Sequence, residues 1–290
     1  MGKTKKKKFV KMKCSPNSTK TLNNNLEKFT CYNNERLLAL RDKWNIENQS
    51  KQIISNNSKT IWKKLKEYMT DKCNNERCWL DQSFINKYVN DKSHDNIFSP
   101  IMPLSWLSNS NEWLSNFDIL KVMRQYETAY PHFKFFGPSP IDFDERLEFN
   151  KCVNDDICNL NIDNLKDKYK QIGISLNLDT HDKGGSHWVS LFIDLEKKYI
   201  FFFDSNGDKI PKRVKILINR VNEQCKRIYN KKFDVYNNTL QHQYTDGTCG
   251  IYSLYFFISL ITNSKKFNYF IKNRIPDKIM KKYRFIYFNY

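Results

Sequence analysis

The feature that most constrains the fold is a pair of apolar segments, residues 187–195 and 198–204, which are separated only by Glu196 and Lys197. Both segments are apolar enough for central strands of a sheet, and the short polar link predicts an antiparallel hairpin. Residues 171–178 alternate polar and apolar side chains, which predicts a third strand with one exposed face. We therefore expect a sheet in the second half of the chain.

Helix-like segments surround these strands. Residues 211–229 form an amphipathic pattern that begins with a proline, and residues 249–262 are almost entirely apolar, which predicts a buried helix. Residues 117–126 and 276–288 predict two more helices, and residues 233–236 predict a short edge strand. The expected fold class is α+β, with a mixed central sheet flanked by helices.

The N-terminal part has a different pattern, in which helices are joined by polar loops. Three apolar stripes at helical spacing support this interpretation, and prolines at positions 100 and 103 then mark a boundary. We predict a helical arm domain over residues 24–103 and a second domain over residues 104–290. The stripes are Leu38, Leu40 and Trp44; Ile61, Leu65, Tyr68 and Met69; and Leu80, Phe84, Ile85, Tyr88 and Val89.

Positive charge is concentrated at the N-terminus. The chain has 49 basic and 31 acidic residues, a net charge of +18, and eight of its lysines lie in the first 20 residues, which contain no acid. This pattern predicts a disordered basic tail over residues 1–23, which either contacts nucleic acid or only keeps the chain soluble. No apolar run approaches the roughly 20 residues that cross a bilayer, so no membrane span is expected.

The eight cysteines are scattered along the chain. A core of this size needs no covalent staples, so we expect reduced thiols rather than disulfides. The spacing of Cys73 and Cys78 is compatible with zinc, but no second pair of cysteine or histidine ligands follows at a suitable distance. Ordinary thiols are the favoured interpretation, and no metal or cofactor is expected.

Three short motifs carry reactive side chains. His187 opens the first hairpin strand, Asp204 ends the second, and Cys249 begins the buried helix shortly after Gln243. A nucleophilic thiol needs a base to accept its proton and a third group to orient that base. His187 and Asp204 would meet at one edge of the sheet, and a helix N-terminus favours the thiolate form of Cys249. Gln243 and the backbone N–H of Cys249 could form an oxyanion hole.

Each of these residues is a weak signal by itself. A histidine beside a tryptophan on a strand is more often structural, an Asp-Ser-Asn-Gly run is an ordinary turn, and a cysteine in an apolar helix is more often a core residue. Their combination in the order His187, Asp204, Gln243 and Cys249, at intervals of 17, 39 and 6 residues, is far more specific. The combination predicts nucleophilic catalysis by a thiol.

This order of motifs resembles the cysteine protease family that includes adenovirus protease and the SUMO-specific Ulp1-like proteases. The resemblance lies in His-Trp, an aspartate 17 residues later, and Gln-x5-Cys-Gly. It extends to Trp113-Leu114-Ser115-Asn116, which is similar to the segment that begins the Ulp1-like catalytic domain. Within the family, the chain resembles viral polyprotein-processing members, which also have a helical arm before the catalytic core.

The resemblance implies a role for each residue of the constellation. Cys249 would be the nucleophile, and His187 would act first as general base and then as general acid. Asp204 would orient His187, and Gln243 would donate a hydrogen bond to the oxyanion. Residues 104–290 would then be the catalytic domain.

The resemblance also implies a substrate. Trp188, Asn177 and Trp113 would border a narrow channel that admits Gly-Gly, because such a channel excludes residues with side chains. The leading hypothesis is a monomeric viral endopeptidase that cleaves structural polyproteins after Gly-Gly, in the virion and at assembly sites in the host cytoplasm. The alternatives are a protease that removes ubiquitin-like or SUMO-like proteins, and a non-enzymatic virion protein that binds DNA through its lysines.

Overall fold

The computed structural model describes residues 8–23, 29–83 and 97–290. Their contacts divide the chain into two units, Met1–Ile101 with Phe288–Tyr290, and Met102–Tyr287. The division falls two residues before the predicted boundary at residue 104, and the last three residues of the chain belong to the first unit.

The first unit is helical over much of its described length. Its α-helices include α1 (Pro16–Asn23), α2 (Asn34–Glu47) and α3 (Ser58–Met69), and short 3-10 turns cover Gln49–Lys51 and Arg77–Asp81. The helices bury one apolar side each, because their apolar residues recur at helical spacing. The side chains buried from α2 and α3 include Leu37, Leu40 and Trp44, and Ile61, Leu65 and Met69.

These residues agree with the predicted stripes except at two positions. Leu37, rather than Leu38, lies in the core, and Tyr68 is half-buried with its ring stacked on Trp44 at 5.6 Å. Most of the third stripe, from Phe84 to Val89, lies outside the described residues.

The prediction of a disordered tail is wrong for residues 8–23. Helix α1 covers Pro16–Asn23, Met12 is buried, and the backbone N–H of Lys13 donates to Asn289 Oδ1 at 2.6 Å. The charge pattern hid this packing, because a lysine-rich segment can bury its backbone and a few apolar side chains while its ammonium groups stay at the surface. Residues 1–7, which carry four of the tail lysines, lie outside the described part.

The expectation of reduced thiols is wrong for six of the eight cysteines. Disulfides join Cys14 to Cys31, Cys73 to Cys78 and Cys152 to Cys158, and Cys225 and Cys249 are free. The partners are separated by only 17, 5 and 6 residues, so local folding brings each pair together. The pattern of all eight cysteines looked scattered because the three pairs lie far from one another in the sequence.

The second unit contains a five-stranded mixed sheet in the order β1-β2-β3-β4-β5. The outer pairs β1–β2 and β4–β5 are parallel, and the central strands β2, β3 and β4 pair antiparallel. The predicted mixed sheet, its central hairpin and its edge strand are confirmed. The strands are β1 (Phe133–Pro140), β2 (Gln171–Asn177), β3 (Trp188–Asp194), β4 (Tyr199–Phe203) and β5 (Asp234–Asn237).

Strand β1 was not predicted, and strand β2 lacks the exposed face that its alternation predicts. Gly173 and Ser175 on the polar side of β2 are buried. A Cβ added at Gly173 would lie 2.9 Å from the Phe133 ring and 3.1 Å from the Phe257 ring. Gly173 therefore leaves room for the rings of Phe133 and Phe257, and the polar side of β2 does not face water.

Helices cover both faces of the sheet. The helices of the second unit include α4 (Asn116–Ala129), α5 (Asp155–Cys158), α6 (Lys212–Tyr229), α7 (Cys249–Ile261), α8 (Phe267–Lys272) and α9 (Asp277–Tyr287). On one face, α6 packs Val214, Leu217 and Val221 against aliphatic residues of β2, β3 and β4. On the other face, Phe256 of α7 lies against rings from β3 and β4, with ring centroids 4.7 Å apart for Phe203. Every residue of α7 is buried, as its composition predicted.

Within the described part of the chain, no helix combines the length and apolar character needed to cross a bilayer.

Asn222 ties α6 to the start of β5, and its removal should destabilise the second unit. Its Oδ1 accepts from the backbone N–H of Phe233 at 2.8 Å, and its Nδ2 donates to the carbonyl of the same residue at 3.2 Å. Asn222→Ala leaves two buried groups unpaired, at a cost of about 1–3 kcal/mol each. Chemical denaturation should therefore show a lower free energy of unfolding.

Asn219→Ala on the same helix is the matched control, because Asn219 is exposed. It should leave the free energy of unfolding unchanged within about 0.5 kcal/mol. Equal losses in the two variants would contradict the role given to Asn222.

Candidate active site

The register of the β3–β4 hairpin brings His187 and Asp204 to the same end of the sheet. Ser190 pairs with Phe203, so the residue before β3 and the residue after β4 lie side by side. Asn177, the last residue of β2, pairs with Trp188 at the same end. The strands therefore bring four of the predicted site residues to one end of the sheet, because antiparallel neighbours end where their partners begin.

His187 and Asp204 are joined by a short hydrogen bond. His187 Nε2 donates to Asp204 Oδ1 at 2.7 Å, and the two side chains are 12% and 2% exposed. Burial lowers the pKa of His187, but its hydrogen bonds to Asp204 and Cys249 and the charges of both groups raise it to about 10. The imidazole is therefore protonated at neutral pH, and Nδ1 is the ring nitrogen left to face Cys249.

The backbone around Asp204 holds its carboxylate in place. Asn238 is fully buried and accepts from the Asp204 N–H at 2.9 Å, while its own amide donates to the Asp204 carbonyl. The Asn206 N–H donates to Asp204 Oδ1 at 2.8 Å. Asn238 thus fixes the Asp204 backbone, and the carboxylate cannot turn away from His187 without losing its bond from the Asn206 N–H.

Cys249 is the first residue of α7 and is 2% exposed. The N–H groups of a first helical turn have no partner within the helix, so they present positive charge to the Cys249 thiol. The next residue must be glycine, because a Cβ at Gly250 would lie 2.8 Å from Leu114 Cβ.

Gln243 lies in the loop before α7 and is nearly buried. Its Oε1 accepts from the Ser205 hydroxyl at 2.8 Å, and its Nε2 donates to the Thr245 carbonyl at 3.0 Å. The amide nitrogen carries a second proton that this bond does not use. Two hydrogen bonds therefore hold the Gln243 amide, and one of its two N–H groups is left as a donor.

His242 holds the loop before α7 in place through two hydrogen bonds. It is fully buried, its Nδ1 accepts from the Ile275 N–H at 3.1 Å, and its Nε2 donates to the Phe270 carbonyl at 3.0 Å. Burial lowers the pKa of His242, and the charge of Arg274 lowers it further. A neutral ring with one donor and one acceptor fits these two partners, so His242 positions Gln243 and is not itself a second base.

A cavity of about 560 Å³ is lined by Trp188, the residue after His187, but by none of His187, Asp204, Gln243 and Cys249. Trp113, Trp188 and Asn177 all line it, together with Gly184 and Gly185 of the loop before β3. The structure thus brings the three predicted channel residues to one cavity.

The three channel residues differ in how they are held. Trp188 is 7% exposed, and its Nε1 donates to the Leu114 carbonyl at 2.9 Å, whereas Trp113 is 38% exposed. Asn177 Oδ1 accepts from the backbone N–H groups of Asp179 and Ser186, each at 3.0 Å. Asn177 therefore fixes the backbone of the loop between β2 and β3, which lines the cavity. Its position on the strand did not indicate this role.

Several residues at the site were not identified from the sequence. Asn238, Ser205 and His242 act through backbone groups or through Gln243, and isolated polar residues in loops carry no pattern that would single them out. His181 also lines the cavity, and its Nδ1 lies 2.7 Å from Oδ2 of the buried Asp142. A histidine in a polar loop gave no signal, because its partner is 39 residues away.

Among the described residues, no group of three or more His, Cys, Asp or Glu side chains is arranged to hold a metal ion.

The raised pKa of His187 predicts a pH-dependent contribution to stability. A folded-state pKa of about 10, above the ordinary 6.5, means that the charged histidine stabilises the fold fully below about pH 6.5. This contribution is lost as the pH rises through about 10. The difference in the free energy of unfolding between the wild type and His187→Gln should therefore shrink as the pH is raised.

Denaturation curves at several pH values measure this difference. His132→Gln, at an exposed histidine, is the control, and its difference from the wild type should stay flat. A His187→Gln difference that stays constant, or grows with pH, would contradict the ion pair.

Comparisons with known proteins agree with this geometry. The model of the Ulp1 protease family, C-terminal catalytic domain, matches residues 153–289, which include His187, Asp204, Gln243 and Cys249. A thiol protease of Acanthamoeba polyphaga mimivirus is 29% identical over 237 residues, 81% of this chain and 76% of that protein. The SUMO-1 cysteine protease of African swine fever virus is 26% identical over 244 residues, 78% of this chain and 88% of that protein.

A crystal structure of an African swine fever virus protease matches the fold. Its TM-score is 0.66 at 21% identity, and the match covers 96% of this chain and 95% of that one. The predicted Ulp1-like fold with a helical N-terminal region is confirmed, as is the resemblance to viral members of the family. Residues 153–289 match the catalytic domain of the Ulp1 protease family, and the chain is a cysteine protease that is similar to viral proteases.

Proposed function

We propose that the protein is a cysteine endopeptidase in which Cys249 is the nucleophile, His187 the proton carrier and Asp204 its orienter. The observation that carries the proposal is the buried His187–Asp204 hydrogen bond of 2.7 Å, together with Cys249 at the start of α7, whose interaction with the same histidine helps to raise the pKa of His187. A base oriented by a third group and a thiol at a helix N-terminus are the parts that nucleophilic thiol catalysis requires.

The reaction begins from the thiolate–imidazolium pair. The Cys249 thiolate attacks the substrate carbonyl carbon, a carbon–sulfur bond forms, and the carbonyl oxygen becomes an oxyanion. As the carbon–nitrogen bond breaks, His187 gives its proton to the leaving amine, and an acyl-enzyme remains. Neutral His187 then takes a proton from water, which attacks the thioester and releases the acid and the thiolate.

Gln243 is the proposed side-chain donor to the oxyanion. The Ser205 hydroxyl and the Thr245 carbonyl fix its amide, and the unused N–H of that amide is available to substrate. The backbone N–H of Cys249, in the first turn of α7, supplies a second donor. Donors fixed before the reaction stabilise the developing charge without reorganisation.

Cleavage after Gly-Gly is the proposed specificity. The cavity is lined by Trp188, Gly184 and Gly185, and Trp188 is held by its hydrogen bond to the Leu114 carbonyl. A substrate residue without a side chain would pass most easily beside a tryptophan that is held in this way. The relatives include a protein named as a SUMO-1 cysteine protease, and the family resemblance implies the same preference for Gly-Gly.

The proposed substrates are viral structural polyproteins, processed in the virion and at assembly sites in the host cytoplasm. Both relatives described above come from large viruses, which favours this setting. Removal of a ubiquitin-like or SUMO-like protein is the second candidate, supported by the name of the African swine fever virus relative. The lysine-rich N-terminal segment is the proposed contact for nucleic acid.

Cys249→Ala should abolish peptide hydrolysis, because no other group at the site can form the acyl-enzyme. The rate of cleavage of a Gly-Gly-containing peptide should fall by about 10³-fold or more. Cys225→Ala is the matched control, since it removes the other free and buried thiol. Residual turnover by purified Cys249→Ala, or an equal loss in a folded Cys225→Ala, would refute the assignment of the nucleophile.

Substrate choice separates the two candidate roles. Short Gly-Gly-X peptides should be cleaved at least about tenfold faster than Gly-Ala-X peptides, because an added methyl group must enter the narrow channel. SUMO-like and ubiquitin-like fusions are assayed beside them. Cleavage of the fusions alone would favour deconjugation, and equal rates for both peptides would exclude the Gly-Gly channel.

A further inference from the structure

Arg284 of α9 is a buried cation close to the proposed nucleophile. Its side chain is only 1% exposed, and its guanidinium lies over the Trp106 ring, 4.3 Å from the centroid. Arginine is almost never fully buried unless its donors and charge are matched by partners. A buried guanidinium in this place therefore needs an explanation.

The hydrogen bonds of Arg284 go to two separate backbone segments. Its Nη2 donates to the Glu112 carbonyl at 2.6 Å and to the Gly247 carbonyl at 3.0 Å. Glu112 immediately precedes Trp113 of the channel wall, and Gly247 lies two residues before Cys249. One guanidinium group thus bridges the channel wall and the nucleophile loop.

The two bridged segments also touch each other directly. Gly247 has a φ of +82°, and a Cβ added there would overlap the carbonyl oxygen of Asn111. The close approach of the two backbones is possible only with glycine at this position. Arg284 therefore clamps a junction at which a small displacement would move Cys249 relative to the channel.

Arg284 keeps its charge in this buried position. Burial lowers the pKa of Arg284 to about 10, and the negative charges of Asp118 and Glu112 act against that fall. Arg284 therefore remains charged at neutral pH. Asp118 is also engaged at the N-terminus of α4, where its carboxylate accepts from Ser115.

We propose that Arg284 is a positioning residue that holds the nucleophile loop against the channel wall. This inference rests on the proposed role of Cys249. It adds to the site a cation that comes from the C-terminal helix, outside the three sequence motifs.

Turnover and alkylation measured on the full chain test the inference. kcat and KM are measured with a Gly-Gly-X peptide, and the rate of iodoacetamide reaction at each thiol is followed by mass spectrometry. Arg284→Gln should lower kcat/KM by at least about tenfold, because the loop is no longer clamped.

Two further variants make the result decisive. Arg284→Lys keeps the charge but lacks the guanidinium nitrogen that reaches both carbonyls, so its kcat should also fall. Lys282→Gln removes an exposed charge from the same helix and should change neither kcat nor KM.

Each outcome decides a different claim. A folded Arg284→Gln with the wild-type kcat/KM would overturn the inference, even if its melting temperature fell, because the role would then be structural only. If Arg284→Gln does not fold, wild-type turnover by Arg284→Lys would overturn it. If Cys249 is not the fastest-reacting thiol in the wild type, the proposed function itself is refuted, independently of the results for the Arg284 variants.

Discussion

The antiparallel register of β3 and β4 is the constraint on which the site depends. Because Ser190 pairs with Phe203, His187 and Asp204 are delivered to one end of the sheet without help from any long loop. The register is itself fixed from both faces, by the aliphatic residues under α6 and the aromatic rings under α7. A slip of one residue would exchange the two faces and separate the histidine from its carboxylate.

The electrostatic character of the site follows from what surrounds this pair. His187 is buried beside an anchored carboxylate, which holds its pKa near 10, and the start of α7 presents unpaired N–H groups to Cys249. Arg284 adds a third positive element from another helix. Positive charge is thus in place around the thiol before substrate arrives, so little reorganisation is needed during attack.

Elements whose residues repeat at a regular period could be predicted from the sequence, and elements defined by single contacts could not. The hairpin and the buried helix α7 were found because their apolar runs are long, and Cys249 was found because four residues from three motifs occur in a specific order. Strand β1 was missed since its prolines and glycine at positions 137–140 resemble a turn. Arg284 was missed because a lone arginine in a basic helix looks exposed, and its partners lie 37 and 172 residues away.

The most direct test of the central claim is covalent trapping of the nucleophile. A peptide that ends in Gly-Gly with an electrophilic C-terminus is incubated with the wild type and with a folded His187→Ala variant, and the modified residue is mapped by mass spectrometry. The proposed mechanism predicts one adduct, on Cys249, that forms much more slowly when His187 is absent. An adduct on Cys225, or equal labelling of the two proteins, would contradict it.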